Sequence, residues 1–161
     1  MALSFQIPTG QGTATITLEP GGSAVFVGAN GAGKTRLAVE IEKSLGGNAH
    51  RIGAHRALVL NAEVAKIGEE AALRGLRHGS PDKTHLLPHR DLFRWGRQAA
   101  VHLLDDFDFL MQALFAEQGN RALATHTAAR AGSLGAVVPT KFEQLKEIWE
   151  RLLPTRKLML G

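Results

Sequence analysis

Apolar positions recur along this chain with two periods, and the changes between them divide it into segments. Residues 2–8 and 13–19 read as two strands. In the second, Thr13, Thr15 and Thr17 alternate with Ala14, Ile16 and Leu18, the period of a sheet with one wet face. Pro20-Gly21-Gly22 is a turn, and Ser23-Ala24-Val25-Phe26-Val27 after it is a continuous apolar run, which predicts a buried strand. Leu37, Ala38, Ile41 and Leu45 then share one helical face, and Gly46-Gly47 stops that helix. His50 to Leu60 is a further strand candidate, with Ile52, Ala54, Leu58, Val59 and Leu60.

Beyond that segment the period is helical. Leu60, Val64, Ile67 and Ala71 fall at helical spacing, and a polar loop follows around Gly79-Ser80-Pro81-Asp82. Residues 91–115 carry the strongest stripe, through Leu103, Leu104, Phe107, Leu110, Met111, Leu114 and Phe115. Gly68, Gly75 and Gly96 weaken the helices that contain them. Residues 118–138 are rich in Ala, Thr and Gly and take no assignment. Thr140 and Glu143 form a capping box, opening a helix with Phe142, Leu145, Ile148, Trp149, Leu152 and Leu153 on one face. Pro154 ends it, and Lys157-Leu158-Met159-Leu160 predicts a strand.

Composition narrows the function classes. With 161 residues, 44% of them hydrophobic, the chain can build the core of one ordinary domain. It has no cysteine, which excludes disulfides and thiolate metal sites. No basic segment followed by an apolar stretch opens the chain, and no run is long enough to span a bilayer, so a cytoplasmic location is expected. The net charge of +4 is compatible with a nucleic-acid partner without requiring one.

One segment names a chemistry. Gly28-Ala29-Asn30-Gly31-Ala32-Gly33-Lys34-Thr35 is the phosphate-binding loop G-x-x-x-x-G-K-[ST]. Its glycines let successive N–H groups turn inward toward phosphate oxygens. Lys34 can reach the β- and γ-phosphates, and the Thr35 hydroxyl can bind Mg²⁺. The helix behind the loop points its positive end at the same anion. The expected nucleotide-binding residues are Asn30, Gly31, Ala32, Gly33, Lys34, Thr35 and Arg36, with ATP and Mg²⁺ as ligands. An apolar run before the loop and an amphipathic helix after it supply the order that such a loop requires.

From Thr13 to Thr35 the chain resembles the ATP-binding-cassette class of P-loop ATPases. The cues are a strand, Glu19-Pro20-Gly21-Gly22, a second strand, and the Asn30-Gly31 pair in mid-loop. The soluble relatives of that class include chromosome-maintenance and DNA-repair ATPases and ATPases of bacterial antiviral defence. Arg51-Ile52-Gly53-Ala54-His55-Arg56 looks like the strand that follows the first helix in that branch, where a helical insertion commonly divides the ATPase head.

The resemblance implies an α/β P-loop NTPase fold. A mixed sheet at 1–60 would carry the loop, 61–153 would be a helical region or insertion, and 154–161 a strand leading into a missing second half. It also implies paired heads in a homo-oligomer, an effector protein partner, and work on nucleic acid or in defence. Three family features are missing. No Gln stands near 51–65, no serine- and glycine-rich signature is found, and no apolar strand ends in Asp-Glu. Asp105-Asp106 is the nearest candidate for the last, but the helical period around it predicts a solvated helix face. The chain is therefore expected to bind nucleotide without hydrolysing it alone. The alternative is an interaction module with a non-hydrolysing phosphate loop.

Other groupings take two readings each. Arg74, Arg77, Lys83, Arg90, Arg94 and Arg97 form either a patch for an acidic partner or a solvated surface paired with Asp105, Asp106 and Asp108; the second is favoured. His85 and His89 have metal-ligand spacing but no third ligand. Trp95 and Trp149 fall in helical stripes, which favours packing over base stacking. Arg56 is placed either toward the nucleotide or in a structural ion pair.

Overall fold

A computed structural model describes residues 2–52, 63–100, 102, 106–133 and 135–158. The fold is mixed α/β. It divides into two compact units: Met1–Ala57 with Arg77–Ser80 and Thr84–Leu104, and Leu58–Leu76 with Pro81–Lys83 and Asp105–Gly161.

In the first unit, β1 (Leu3–Thr9) and β2 (Gly12–Leu18) form an antiparallel hairpin, as the alternation predicts. The register pairs Leu3 with Leu18, Phe5 with Ile16 and Ile7 with Ala14, which gathers the apolar side chains on one face. Ser4 and Thr17 hydroxyls meet at 2.9 Å on the other. Helix α1 (Lys34–Leu45) lies against β1, with Val39 and Phe5 buried. A single 3₁₀ turn, Gly46–Asn48, follows it, as the glycine pair predicts.

The predicted strand Ser23–Val27 is not formed. Residues 22–29 have no regular structure, and Val25 and Val27 are 83% and 92% exposed. A strand is not a local structure. It exists only as part of a ladder, and among the described residues nothing pairs with this one. The strand candidate at 50–60 falls mostly outside the described residues, as do Arg56 and Asp105; Arg51 and Ile52 have no regular structure.

Helix boundaries follow caps rather than periodicity. Residues 63–68 are not helical, and α2 (Glu69–His78) begins where Gly68 accepts the Ala72 N–H and two acids occupy the positive first turn. Gly75 is tolerated inside α2 because the Phe109 ring packs where a Cβ would stand. The continuous helix expected at 91–115 is interrupted. Helix α3 (Arg90–Phe93) is four residues long, and Gly96 and Arg97 take φ values of 51° and 61°, which no right-handed helix passes through. Among the described residues the stripe resumes in α4 (Phe107–Arg130), which also covers much of the unassigned segment.

Helix α5 (Lys141–Leu152) carries the predicted capping box. Thr140 Oγ1 accepts the Glu143 N–H at 3.2 Å, and the Thr140 N–H donates to Glu143 Oε2 at 2.6 Å. The buried Glu117 carboxylate accepts the Lys141 N–H at 3.1 Å and pairs with Arg121. Residues 156–158 have no regular structure, so the predicted final strand is not seen in its described part.

The hydrogen bonds from Thr140, and more weakly Arg121, hold the Glu143 carboxyl below its ordinary pKa of 4.5. A depressed carboxylate contributes stability above its unfolded pKa and loses it as pH falls through the folded one. Thr140→Ala is expected to cost about 1 kcal/mol at pH 7. The difference from wild type should shrink in urea melts at pH 3; an unchanged difference would assign the cost to the Glu143 N–H bond to Thr140 Oγ1, which does not titrate.

Candidate functional site

The phosphate-loop motif sits between residue 27 and α1. Gly31 and Gly33 have φ values of 81° and 84°, the left-handed backbone that other residues avoid. The loop folds back on itself, with the Ala32 N–H donating to Ala29 O at 3.2 Å. Lys34 Nζ donates to Gly28 O at 2.7 Å and Ala29 O at 2.8 Å, which pins the cation over the loop.

Behind the loop, the N-terminus of α1 is open. No side chain caps it, and its first turn has no acid. Leu37 is the first residue whose N–H reaches a loop carbonyl, at Gly33. The N–H groups of Lys34, Thr35 and Arg36 are therefore left as the donors that an anion satisfies at such an end. Thr35 Oγ1 and the Arg36 guanidinium make no hydrogen bond among the described residues. Asn30 and Ala32 lie exposed in the same turn.

A cavity of about 230 Å³ runs along α1 from Lys34, lined by Phe26, Ala38, Ile41 and Arg51 among others. At its far end is an arrangement that the sequence did not suggest. Glu42, only 2% exposed, is met by three arginines. Arg90 approaches Oε1 at 2.7 Å, Arg51 Oε2 at 3.0 Å, and Arg94 Oε1 at 3.9 Å. Backbone carbonyls take up further guanidinium donors. Arg90 donates to Gly46 O at the negative end of α1, Arg51 to Ala99 O, and Arg94 to Arg51 O.

The basic segment at 74–97 is thus divided rather than displayed. Arg90 and Arg94 are buried against Glu42. Arg74 bonds Glu70 at 2.6 Å and Pro81 O at 3.2 Å. Trp95 is a packing residue, as its stripe predicts, buried beneath the Arg90 guanidinium.

His85 stacks on Phe93 and meets Ser80 Oγ at 2.6 Å, while His89 Nδ1 accepts the Leu86 N–H. Among the described residues no three metal-ligating side chains converge. Asp106 lies at the N-cap position of α4 rather than on a helix face. Among the described residues no helix is long and apolar enough to cross a membrane. No family model, curated protein or solved structure matches the chain.

Proposed function

We propose that this chain binds Mg-ATP through residues 30–36, as the nucleotide-binding part of an ATPase of the cassette and chromosome-maintenance type. One observation carries this reading. An uncapped helix end, two left-handed glycines and a lysine held over the loop occur together within residues 28–36. That combination stabilises a polyphosphate through charge-assisted hydrogen bonds, and it has no evident use in packing. Thr35 would hold Mg²⁺, which supplies neutralisation of the phosphate charge. In the complete ATPase, two heads closing on nucleotide would drive a conformational switch in nucleic-acid metabolism or antiviral defence, with an effector protein as partner.

Turnover is not expected of residues 1–161. Phosphoryl transfer relies on positioning and charge neutralisation, and it needs a group to orient the attacking water. None of the described residues around Lys34 and Thr35 is placed to do so. Calorimetric titration with Mg-ATP should show saturable binding, and a phosphate-release assay should show no activity above a Lys34→Ala control. Absence of binding at millimolar nucleotide would refute the assignment. Turnover that rises with protein concentration and vanishes in the variant would refute the second statement alone.

The second reading, an interaction module, has its own support in the helical unit. Leu145, Ile148 and Leu152 on α5 are exposed. A groove of about 860 Å³ there is lined by Val64, Ile67, Phe107, Met111 and Phe115 among others.

A further inference from the structure

Asn30 and Gly31 are the two central residues of a turn, closed by the Ala32 N–H donating to Ala29 O at 3.2 Å. Gly31 has a positive φ, 81°, and Asn30 does not, which makes it a type II turn. Both residues are exposed. Neither the Asn30 carboxamide nor the Gly31 N–H makes a hydrogen bond among the described residues. A Cβ built on Gly31 would meet nothing within 4 Å, so the tip of the turn is open on every side.

An unbonded carboxamide beside an unhindered, unbonded backbone nitrogen has a chemistry of its own, and it is one cause of the thermal lability of asparagine. The Gly31 nitrogen, having lost its proton to water, attacks Asn30 Cγ. A C–N bond forms, the Cγ–Nδ2 bond breaks, and Nδ2 leaves as ammonia with a proton from water. The product is a five-membered succinimide. Water then opens one of its two C–N bonds. Opening at the former side-chain carbonyl gives aspartate. Opening at the main-chain carbonyl gives isoaspartate, in which the chain continues through Cγ. The sum is one water consumed and one ammonia released, with no oxidation or reduction.

The other described asparagines lack this combination. Asn48 is followed by Ala49, whose N–H is bonded to Gly46 O. Asn120 lies inside α4, is followed by Arg121, and donates its Nδ2 to Glu69 Oε2 at 3.2 Å.

We propose that Asn30 is a site of spontaneous modification, converted to aspartate and isoaspartate through the Gly31 nitrogen, and that the conversion closes the loop to anions. The new carboxylate adds a negative charge beside the open end of α1 and Lys34, and it repels phosphate. Isoaspartate also lengthens the main chain by one methylene at the turn. The loss of nucleotide affinity rests on the proposed function; the modification itself uses Asn30 and Gly31 alone.

Residues 1–161 are aged at pH 8, and peptides are followed by mass spectrometry. The peptide holding Asn30 is expected to gain the mass difference between amide and acid at least about tenfold faster than those holding Asn48 and Asn120, because no Cβ blocks the attacking nitrogen. It should also split into two chromatographic peaks of that mass, aspartate and isoaspartate. Gly31→Ala places a Cβ beside the nitrogen, at a backbone angle that strains alanine, so Asn30→Gln, which requires a larger ring, is the second variant. Both should suppress the conversion. Equal rates at the three asparagines would overturn the modification. So would a single product peak, or unchanged conversion of residue 30 in Asn30→Gln, since direct hydrolysis needs no cyclisation. Asn30→Asp, made directly, is expected to bind Mg-ATP at least about tenfold more weakly than freshly purified wild type. Equal affinity would overturn the closure. A fresh wild type that binds no Mg-ATP would refute the proposed function instead, and the mass readout would still decide the modification.

Discussion

Under the proposed reading, Lys34→Ala is expected to lower the affinity for Mg-ATP at least about tenfold, because it would remove a charge-assisted contact worth roughly 1.5–3 kcal/mol. The same substitution leaves the fold intact. Among the described residues Lys34 Nζ is held by Gly28 O and Ala29 O, both in an exposed loop where water replaces the lost bonds. The Lys34 methylenes border the cavity along α1, and no buried residue other than Glu42 shares that lining. Thermal midpoints of the two proteins without nucleotide should therefore agree, and only wild type should be stabilised by adding Mg-ATP. Equal calorimetric affinities would show that the loop is not the nucleotide site. A lowered midpoint in the variant would show that Lys34 supports the loop rather than the ligand.

The parts of this molecule that are local were legible in the sequence. The hairpin register follows from alternating Thr13, Thr15 and Thr17, and α1 follows from the stripe that Gly46 ends. The Thr140–Glu143 box sets the start of α5 to the residue. Each depends on neighbours within four positions or across one tight turn. The left-handed turn at Gly31 and Gly33 was legible for the same reason, since glycine acts there through its own backbone.

What failed to show was non-local or depended on breaks. Ser23–Val27 has the composition of a buried strand, but composition does not supply the ladder. The stripe at 91–115 carried no warning that Arg97, an ordinary residue, adopts positive φ beside Gly96. Glu42 read as one polar position on an amphipathic helix. Its partners stand at 51, 90 and 94, and no local pattern joins those positions. A hint existed in the excess of arginine over acid between 74 and 97, which left cations in need of a counter-charge.

Glu42→Gln tests that cluster and should have the largest effect of any substitution on stability. The change is nearly isosteric, so it isolates charge from packing. In wild type the Glu42 carboxylate is shared, among the described residues, by three guanidinium groups whose side chains are 12%, 6% and 1% exposed. Carbonyls at Gly46, Arg51 and Ala99 contribute partial charge only. Removing that negative charge takes from Arg51, Arg90 and Arg94 the carboxylate they share, and breaking a buried ion pair typically costs about 3–5 kcal/mol. That is comparable with the whole stability of many small domains, about 5–15 kcal/mol.

The expected result in urea at pH 7 is a loss of at least about 3 kcal/mol, or failure to fold. Arg94→Leu separates the two explanations for such a loss. It removes the arginine farthest from the carboxylate, at 3.9 Å, so alone it should cost less than Glu42→Gln. Combined with Glu42→Gln it should recover part of the loss, because one fewer cation is stranded. A double variant as damaged as the sum of the two single ones would mean that Arg94 and Glu42 act independently. The cluster would then be three separate contacts rather than one balanced group holding residues 46–51 and 90–99 to the helix behind the phosphate loop.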